Sequence, residues 1–389
     1  MAGKAQIVGW AHSPFGKLEE PDIEALLRRV TRPALEHAGI EPQDVDAIFV
    51  GVMNNGFSRQ GFEATLVGVG EPALQFTPAT RLENACATGS AALYAALDFI
   101  EAGRGRIALV AGAEKMTALP TNDVGNVLLC ASYHKEEAGP GGFAGIFGGI
   151  ARRYFDRYGD RSRELALIAA KNHQNGLQNP YAQLKKDLGF EFCNTVSDKN
   201  PYVVEPLRRT DCSLISDGAA ALVIADADTA RSLSRAIAFR ARVHANDVLP
   251  LSRRDPLAFA GAARAWSQAL QSAGVTLDDL DLVETHDCFT IAELIEYEAM
   301  GLVPPGEGAR AVQEGWTRKD GRLPVNPSGG LKSKGHPIGA TGVSMHLMAC
   351  LQLMHEAGGM QIPDARLAGV FNMGGAAVAN YVSLLERVK

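Results

Sequence analysis

Four short segments of the chain carry residues that could do chemistry, and the first contains Cys86. This cysteine stands just before a predicted helix and is followed by small residues. The helix dipole and the unpaired N–H groups of a helix start can lower the pKa of a thiol there, and small neighbours let a substrate carbonyl approach. The setting suits a covalent nucleophile. The alternative is a structural cysteine buried at a tightly packed helix start.

The second segment contains His336, which stands between Gly335 and Pro337 in a glycine-rich string that runs to Gly342. A second predicted helix follows directly. A histidine held on such a constrained backbone could activate a thiol or donate to an oxyanion. The glycine spacing matches neither the dinucleotide fingerprint nor the P-loop, and a plain helix start with a capping histidine is the alternative.

The third and fourth segments lie at the ends of predicted strands. His286 and Cys288 are two residues apart, so their side chains leave the strand end in similar directions, at the kind of sheet edge where α/β proteins gather their sites. No clear third and fourth metal ligands accompany them, so we expect no metal. Gly374 follows Asn372 after another strand and could present a backbone N–H to an oxyanion. The alternatives are a structural strand end and a tight turn between strands.

The elements that must position these segments alternate between helix and strand. Apolar periodicity predicts helices over residues 23–38, 257–273 and 340–356, and buried strands over 45–52, 106–112, 219–225, 280–285 and 367–371. Such alternation predicts an α/β layered fold.

The chain also repeats itself. Residues 34–48 resemble residues 269–283, and the string Ala-Thr-Gly occurs at Ala87 and again at Ala340. A Gly-Ala-Ala string recurs at Gly218 and Gly375, and all three pairs keep the same order, which predicts a duplicated unit. The stretch from the Ala-Thr-Gly string to the Gly-Ala-Ala string is longer in the first copy, which predicts an insertion near residues 118–210. This insertion holds 12 Lys and Arg against 10 Asp and Glu. It could bind an anionic ligand, or its charged residues could simply form a solvated surface.

Composition sets the class of protein. A chain of 389 residues predicts two or three domains, and a net charge of −6 argues against nucleic-acid binding. No apolar run is long enough for a membrane span, and the N-terminus does not resemble a signal peptide, so we expect a cytoplasmic protein. The six cysteines form no C-x-x-C pair, which favours free thiols in a reducing compartment.

In this order, the four segments resemble those of the thiolase superfamily, and the likeness covers nearly the whole chain. The string Gly-His-Pro-Ile-Gly-Ala-Thr-Gly at 335–342 is highly specific. The resemblance implies two βαβαβαββ halves stacked as α-β-α-β-α layers. It assigns residues 1–117 and 211–228 to the N-terminal half, 118–210 to an inserted loop domain that binds acyl-CoA, and 229–389 to the C-terminal half.

Two details point to one branch of that superfamily. Most thiolases have Asn-Glu-Ala-Phe where this chain has His286-Asp-Cys288-Phe289, a form that resembles the sterol-carrier-protein-type thiolases. Most also have a second catalytic cysteine where this chain has Asn372. The resemblance therefore implies that Cys288 performs the acid/base step.

The resemblance implies CoA-dependent cleavage of a 3-oxoacyl-CoA, or the reverse Claisen condensation, through an acyl group on Cys86. His286 and His336 would stabilise the enolate oxygen, and the N–H groups of Cys86 and Gly374 would hold the oxyanion. Coenzyme A would be a substrate, and no cofactor would be needed. The protein would form a homodimer or homotetramer, and a small OB-fold protein is a further candidate partner. The alternatives are a retro-aldolase of this fold, a ketoacyl synthase-like enzyme and a non-catalytic acyl-CoA-binding or lipid-binding protein.

Overall fold

The computed structural model describes residues 5–389, which form eleven strands and fourteen α-helices. The strands are β1 Ala5–His12, β2 Ala47–Gly51, β3 Ala79–Leu82, β4 Ile107–Glu114, β5 Tyr202–Val204, β6 Leu207–Arg208, β7 Gly218–Asp226, β8 Ile237–Asn246, β9 Leu282–Glu284, β10 Leu367–Gly374 and β11 Ala379–Arg387. The helices are α1 Ile23–Ala38, α2 Leu66–Gly70, α3 Thr88–Glu101, α4 Thr121–Leu128, α5 His134–Glu137, α6 Gly142–Tyr158, α7 Ser162–Gly176, α8 Gly189–Asn194, α9 Ala227–Ala230, α10 Ala260–Ala273, α11 Thr290–Ala299, α12 Gly308–Gln313, α13 Gly330–Lys334 and α14 Ile338–Leu353.

Helix α1 shows how the local sequence sets these bounds. Asp22 precedes it and accepts a hydrogen bond from the backbone N–H of Ala25 at 2.9 Å, which satisfies a donor that the first turn leaves open. Gly39 ends the helix with a φ of 70°, a left-handed conformation that glycine adopts without cost. The predicted bounds of this helix are therefore confirmed at both ends.

Nine strands form one sheet, in the order β3-β2-β4-β7-β1-β8-β11-β10-β9. Apart from the edge strand β3, which has no counterpart, the order is symmetric about the short pairing of β1 with β8, where Gln6 lies opposite Ala238 and Ile7 opposite Ile237. Each half has a parallel part, β3-β2-β4 or β9-β10, followed by antiparallel strands. The predicted duplication is confirmed, because β1, α1 and β2 of the first half correspond in order and direction to β8, α10 and β9 of the second.

The two halves stack as layers, and α3 and α14 lie together between them. Helix α1 packs on the outer face of the first half and α10 on that of the second, while α14 contacts strands of both halves. The repeated Ala-Thr-Gly string lies where α3 and α14 meet. A Cβ on Gly89 would lie 2.7 Å from the N of Val343, and one on Gly342 would lie 2.3 Å from the N of Ser90. Only glycine allows this approach, which brings the two helix starts close to each other.

Some predicted bounds were wrong by a few residues. Helix α10 begins at Ala260 rather than 257, because Phe259 before it has a φ of 39°. Helix α14 begins at Ile338, directly after Pro337, and ends at Leu353 rather than 356. Strand β9 is shorter than predicted, whereas β10 runs on to Gly374.

The chain between β4 and β7 holds the extra elements of the first half, namely α4–α8 and the small β5-β6 ribbon. In the second half only residues 375–378 separate β10 from β11. An insertion in the first half is thus present, while its assignment to an acyl-CoA-binding domain at 118–210 stays a prediction. Among the described helices, none is both long and apolar enough to span a membrane.

Candidate active site

Cys86 lies on a tight turn between β3 and α3. Ala85 before it has a φ of 49°, in the left-handed region that non-glycine residues rarely adopt, and such strain is concentrated at functional sites. The hydroxyl of Thr88 accepts the backbone N–H of Asn84 at 2.8 Å, which holds the turn closed. Cys86 is 3% exposed, so its thiol is withdrawn from bulk solvent.

His336 lies on the loop that leads into α14, and two hydrogen bonds fix it. Its backbone N–H donates to Oγ of Ser216 at 3.0 Å, and its ring Nδ1 lies 2.7 Å from Oγ1 of Thr341. The Thr341 hydroxyl donates its only proton to the carbonyl of Pro337, at 2.9 Å. Nδ1 of His336 must therefore be the donor to Thr341, which leaves Nε2 with a lone pair.

The carboxyl group of Glu114, at the end of β4, ties this loop to the first half of the fold. It accepts the backbone N–H groups of Met53, Asn54 and Gly339, at distances of 2.9, 3.1 and 3.0 Å. Burial raises the pKa of Glu114 to about 7, although the three backbone N–H donors stabilise the carboxylate and so lower this pKa. The position of the loop thus depends on a buried acid from the other half of the chain.

His286 follows β9, and Asn372 of the neighbouring strand β10 determines its tautomer. Nδ2 of Asn372 lies 2.9 Å from Nδ1 of His286 and 3.1 Å from the carbonyl oxygen of Cys86, while Oδ1 accepts from Oγ of Ser90 at 2.7 Å. A carbonyl only accepts, so Nδ2 is the donor and Nδ1 of His286 is an acceptor. The ring proton of neutral His286 is then on Nε2, which becomes a hydrogen-bond donor.

These elements bring three of the predicted residues together. Sγ of Cys86, a ring nitrogen of His286 and a ring nitrogen of His336 all lie within 4.8 Å of one another. The two imidazole rings meet edge to face, with centroids 5.1 Å apart. Both Nδ1 atoms are engaged elsewhere, and both Nε2 atoms are buried without a hydrogen-bond partner among residues 5–389. The site thus offers one thiol, one acceptor and one donor to a bound molecule.

Burial sets the charge state of this cluster. Burial raises the pKa of the Cys86 thiol to about 12, although the backbone N–H groups of Gly375 and of Cys86 itself have a smaller, lowering effect on this pKa. Burial and the nearby Lys334 lower the pKa of His336 to about 3. Burial and His336 lower the pKa of His286 well below its usual value. At neutral pH the Cys86 thiol and both imidazoles are therefore neutral.

Three such groups could also hold a metal ion, but the hydrogen bonds disfavour it. A histidine ligates a metal through a nitrogen that carries no proton. Because Asn372 donates to Nδ1 of His286, the remaining nitrogen carries the proton and cannot ligate. The geometry suits substrate binding better than metal binding.

Cys288 is buried at the same strand end, two residues after His286, but its Sγ is not part of the 4.8 Å cluster. Burial raises the pKa of its thiol well above the usual value, and the thiol of Cys86 raises it further. Asp287, which stands between His286 and Cys288 in the sequence, accepts hydrogen bonds from the backbone N–H groups of Leu331 and Lys332, at 2.6 and 3.1 Å. These bonds hold the start of α13 in place.

Gly374 ends β10 beside the nucleophile turn. A Cβ there would lie 2.4 Å from the carbonyl oxygen of Asn84, so the close approach requires glycine. The backbone N–H of the next residue, Gly375, lowers the pKa of the Cys86 thiol. The assignment of Gly374 as an oxyanion donor stays a prediction.

A cavity of about 740 Å³ reaches one member of this cluster, His336. Its other walls include Phe289, several residues of the segment 121–128 and residues 212–215. Sequence reasoning missed the roles of Thr341 and Glu114. The position of Glu114 at the end of a buried strand was the one signal that could have drawn attention to it.

The chain matches two family models along most of its length. Residues 5–228 match the thiolase N-terminal domain, and residues 244–387 match the thiolase C-terminal domain-like family. The chain belongs to the thiolase family. This thiolase is 36% identical over 385 residues to the acetyl-CoA acetyltransferase of Methanothermobacter thermautotrophicus, an alignment that covers 98% of this chain and 99% of the relative.

The thiolase is also similar to sterol carrier protein 2 of Homo sapiens, with 33% identity over 395 residues, covering 96% of this chain and 70% of that protein. This agrees with the motif at His286–Phe289 and places the chain in the sterol-carrier-protein-type branch. Among solved structures, an Ltp2-ChsH2(DUF35) aldolase superposes with a TM-score of 0.81 and 20% identity, over 99% of this chain and 98% of the other. At that identity the likeness shows the shared fold.

Proposed function

We propose that this thiolase is an acyl-CoA acyltransferase that cleaves 3-oxoacyl-CoA with coenzyme A, or runs the reverse Claisen condensation, through an acyl group on Cys86. The observation that carries the proposal is the cluster of Cys86, His286 and His336, in which a thiol meets one free acceptor and one free donor. The acetyl-CoA acetyltransferase relative supports the same reaction class. Coenzyme A is a substrate in this reaction, and no further cofactor takes part.

In the first step Sγ of Cys86 attacks C3 of the 3-oxoacyl-CoA as its proton passes to Nε2 of His336. The oxygen on C3 becomes an alkoxide, which the backbone N–H groups of Cys86 and Gly374 would hold. Because the resting thiol and imidazole are both neutral, this proton transfer accompanies the attack instead of preceding it. Sγ is thereby activated only when substrate is bound.

The alkoxide then collapses and the C2–C3 bond breaks, which leaves the acyl group on Cys86 and an enolate of the shorter acyl-CoA. Nε2–H of His286 donates to the enolate oxygen, and protonated His336 is the second donor. The thiol of Cys288 protonates C2, and the shorter acyl-CoA leaves. A buried thiol with a raised pKa is protonated at neutral pH, as this step requires.

In the second half-reaction the thiol of incoming coenzyme A gives its proton to the Cys288 thiolate and attacks the acyl group. The tetrahedral intermediate expels the Cys86 thiolate, which takes back the proton held by His336. Both thiols and both histidines return to their resting states, so atoms and charges balance over the cycle.

The test is a covalent intermediate. Incubation with a 3-oxoacyl-CoA or acyl-CoA should add one acyl mass to the peptide that contains Cys86, and Cys86→Ala should abolish both the adduct and thiolysis of acetoacetyl-CoA. Acylation of Cys130 or Cys212 in place of Cys86 would refute the assignment. Cys130→Ala is the control, since Cys130 is exposed and lies outside the cluster.

A retro-aldolase is the second candidate, because the superposed aldolase is a complex with a DUF35 protein. A retro-aldol cleavage does not need an acylated cysteine. Loss of C–C cleavage in Cys86→Ala supports the thiolase, whereas cleavage that survives in Cys86→Ala and depends on a small OB-fold partner supports the aldolase.

We propose that the protein itself assembles as a homodimer or homotetramer.

A further inference from the structure

A second cavity, of about 430 Å³, lies beside the catalytic one. Four apolar side chains form much of its wall, namely Leu184, Leu188, Phe192 and Leu214. The remaining walls are largely basic. The cavity therefore combines a surface for a hydrocarbon chain with a surface for an anion.

Three exposed basic side chains at this cavity carry charges that no salt bridge neutralises within the described residues. Lys186, Lys199 and Arg209 are exposed at its rim, and none of the three forms a salt bridge within residues 5–389. Asp187 is the single acidic residue of the lining, and Lys332 adds a buried ammonium group that donates to the carbonyl of Cys212. In a chain with a net charge of −6, such a cluster points to an anionic ligand.

His173 supplies an independent sign of a ligand. It is fully buried against the cavity, and neither of its ring nitrogens has a hydrogen-bond partner in the described part of the chain. Burial and the nearby Lys332 lower its pKa to about 3, so the ring is neutral and carries one N–H donor. Buried donors in native proteins are normally paired, and a ligand in the cavity would provide the missing acceptor.

The two cavities share Arg209 and Leu214, so a chain held in the catalytic cavity could extend into the basic one. We propose that the basic cavity binds a carboxylate at the far end of the acyl group, and that the preferred substrates are 3-oxoacyl-CoAs whose chain ends in a carboxylate. This inference rests on the proposed function. The apolar side chains of Leu184, Leu188, Phe192 and Leu214 suit a polymethylene chain, and the second test below distinguishes a terminal carboxylate from the phosphates of coenzyme A.

The first test measures binding without turnover, in the Cys86→Ala variant. Calorimetry compares matched pairs of saturated thioesters that differ in the terminal carboxylate: adipyl-CoA with hexanoyl-CoA, suberyl-CoA with octanoyl-CoA, and sebacyl-CoA with decanoyl-CoA. At the chain length that spans the two cavities, we expect the carboxylated thioester to bind about ten- to a hundred-fold more tightly, as charge-assisted hydrogen bonds predict. Equal affinity within every pair would overturn the proposal.

The second test introduces Lys186→Met and Lys199→Met together in that background. The affinity ratio of the preferred pair should fall about tenfold or more, and Lys135→Met, an exposed lysine outside both cavities, should leave the ratio unchanged. If the double variant weakens both thioesters equally, the lysines serve the phosphates of coenzyme A and the proposal is wrong. A ratio that does not change would also refute it.

Thiolysis by the unmodified enzyme separates this proposal from the proposed function. Cleavage of 3-oxoadipyl-CoA with a higher kcat/KM than 3-oxohexanoyl-CoA would support both. If carboxylated thioesters bind selectively and neither substrate is cleaved, the carboxylate site stands and the thiolase reaction fails. If both are cleaved and no binding preference exists at any chain length, the reaction stands and the carboxylate site fails.

Discussion

Nδ2 of Asn372 donates a hydrogen bond to Nδ1 of His286, at 2.9 Å. This contact joins two residues that are 86 positions apart in the chain, across the neighbouring strands β9 and β10. It also settles which nitrogen of His286 carries the proton. An asparagine in the place where most thiolases have a second catalytic cysteine thus acquires a positioning role.

The first prediction concerns that role. Asn372→Asp should reverse the tautomer, because a carboxylate accepts from Nδ1–H and leaves Nε2 without a proton to donate. Loss of one such donor is worth about 10²- to 10³-fold in kcat, and Asn372→Ala should lose less. Steady-state thiolysis gives the rates, and ¹⁵N NMR of the histidine rings reports the tautomer. A wild-type spectrum with the His286 proton on Nδ1 would contradict the assignment.

The second prediction concerns the proton shuttle. Cys288→Ala should abolish exchange of the C2 protons of acetyl-CoA while acylation of Cys86 partly survives, because a methyl group has no proton to transfer. We expect losses of about 10²- to 10⁴-fold in thiolysis and condensation, the usual contribution of a general acid. Deuterium exchange followed by mass spectrometry is the measurement. Exchange at the wild-type rate would place the shuttle elsewhere.

The third prediction follows from the raised pKa of Cys86. Since that pKa is about 12, alkylation of Cys86 by iodoacetamide in the free enzyme should be slow at pH 7. Its rate should rise about tenfold per pH unit up to pH 10, because the thiolate fraction does so below the pKa. Mass spectrometry of the Cys86 peptide separates this reaction from labelling of Cys130. A plateau in the rate below pH 8 would instead indicate a preformed thiolate–imidazolium pair.

The fourth prediction concerns Gly374. In Gly374→Ala the new methyl group would lie 2.4 Å from the carbonyl oxygen of Asn84, so the nucleophile turn must move. Forced overpacking of this kind costs about 1–3 kcal/mol, and a displaced Cys86 should lose most of its acylation. Thermal unfolding and acylation by acyl-CoA check the two effects. Gly61→Ala is the control, since nothing lies within 4 Å of its added Cβ; equal behaviour of the two variants would contradict the argument.

The fifth prediction concerns assembly through the N-terminal half. Strand β3 is an edge of the sheet, and Phe62 and Phe76 near it are 79% and 93% exposed. Light scattering should give about twice the 41.3 kDa of the chain, or a multiple of it. Phe76→Asp should shift the protein toward monomer, whereas Val248→Asp in the C-terminal half should not. A stable wild-type monomer at micromolar concentration would refute the prediction.

The sequence by itself determined the residue types of the site and the plan of the fold. Cys86 at a helix start, the Gly-His-Pro string and the strand end at His286 follow from local composition, because small residues, proline and glycine constrain the backbone wherever they stand. The repeat of Ala-Thr-Gly likewise indicated the duplication. These features depend on neighbours within a few positions, which a sequence displays directly.

The tertiary structure alone decided how those residues work together. A neutral imidazole offers two nitrogens, and the choice between donor and acceptor was made for His286 by Asn372 and for His336 by Thr341. The backbone N–H of Gly375 lowers the pKa of the Cys86 thiol, an effect that depends on the packing of the end of β10 beside the turn that carries Cys86. The raised pKa of Cys86 and the lowered pKa of His336 come from burial between the two halves of the fold, and burial is a property of distant segments packed together.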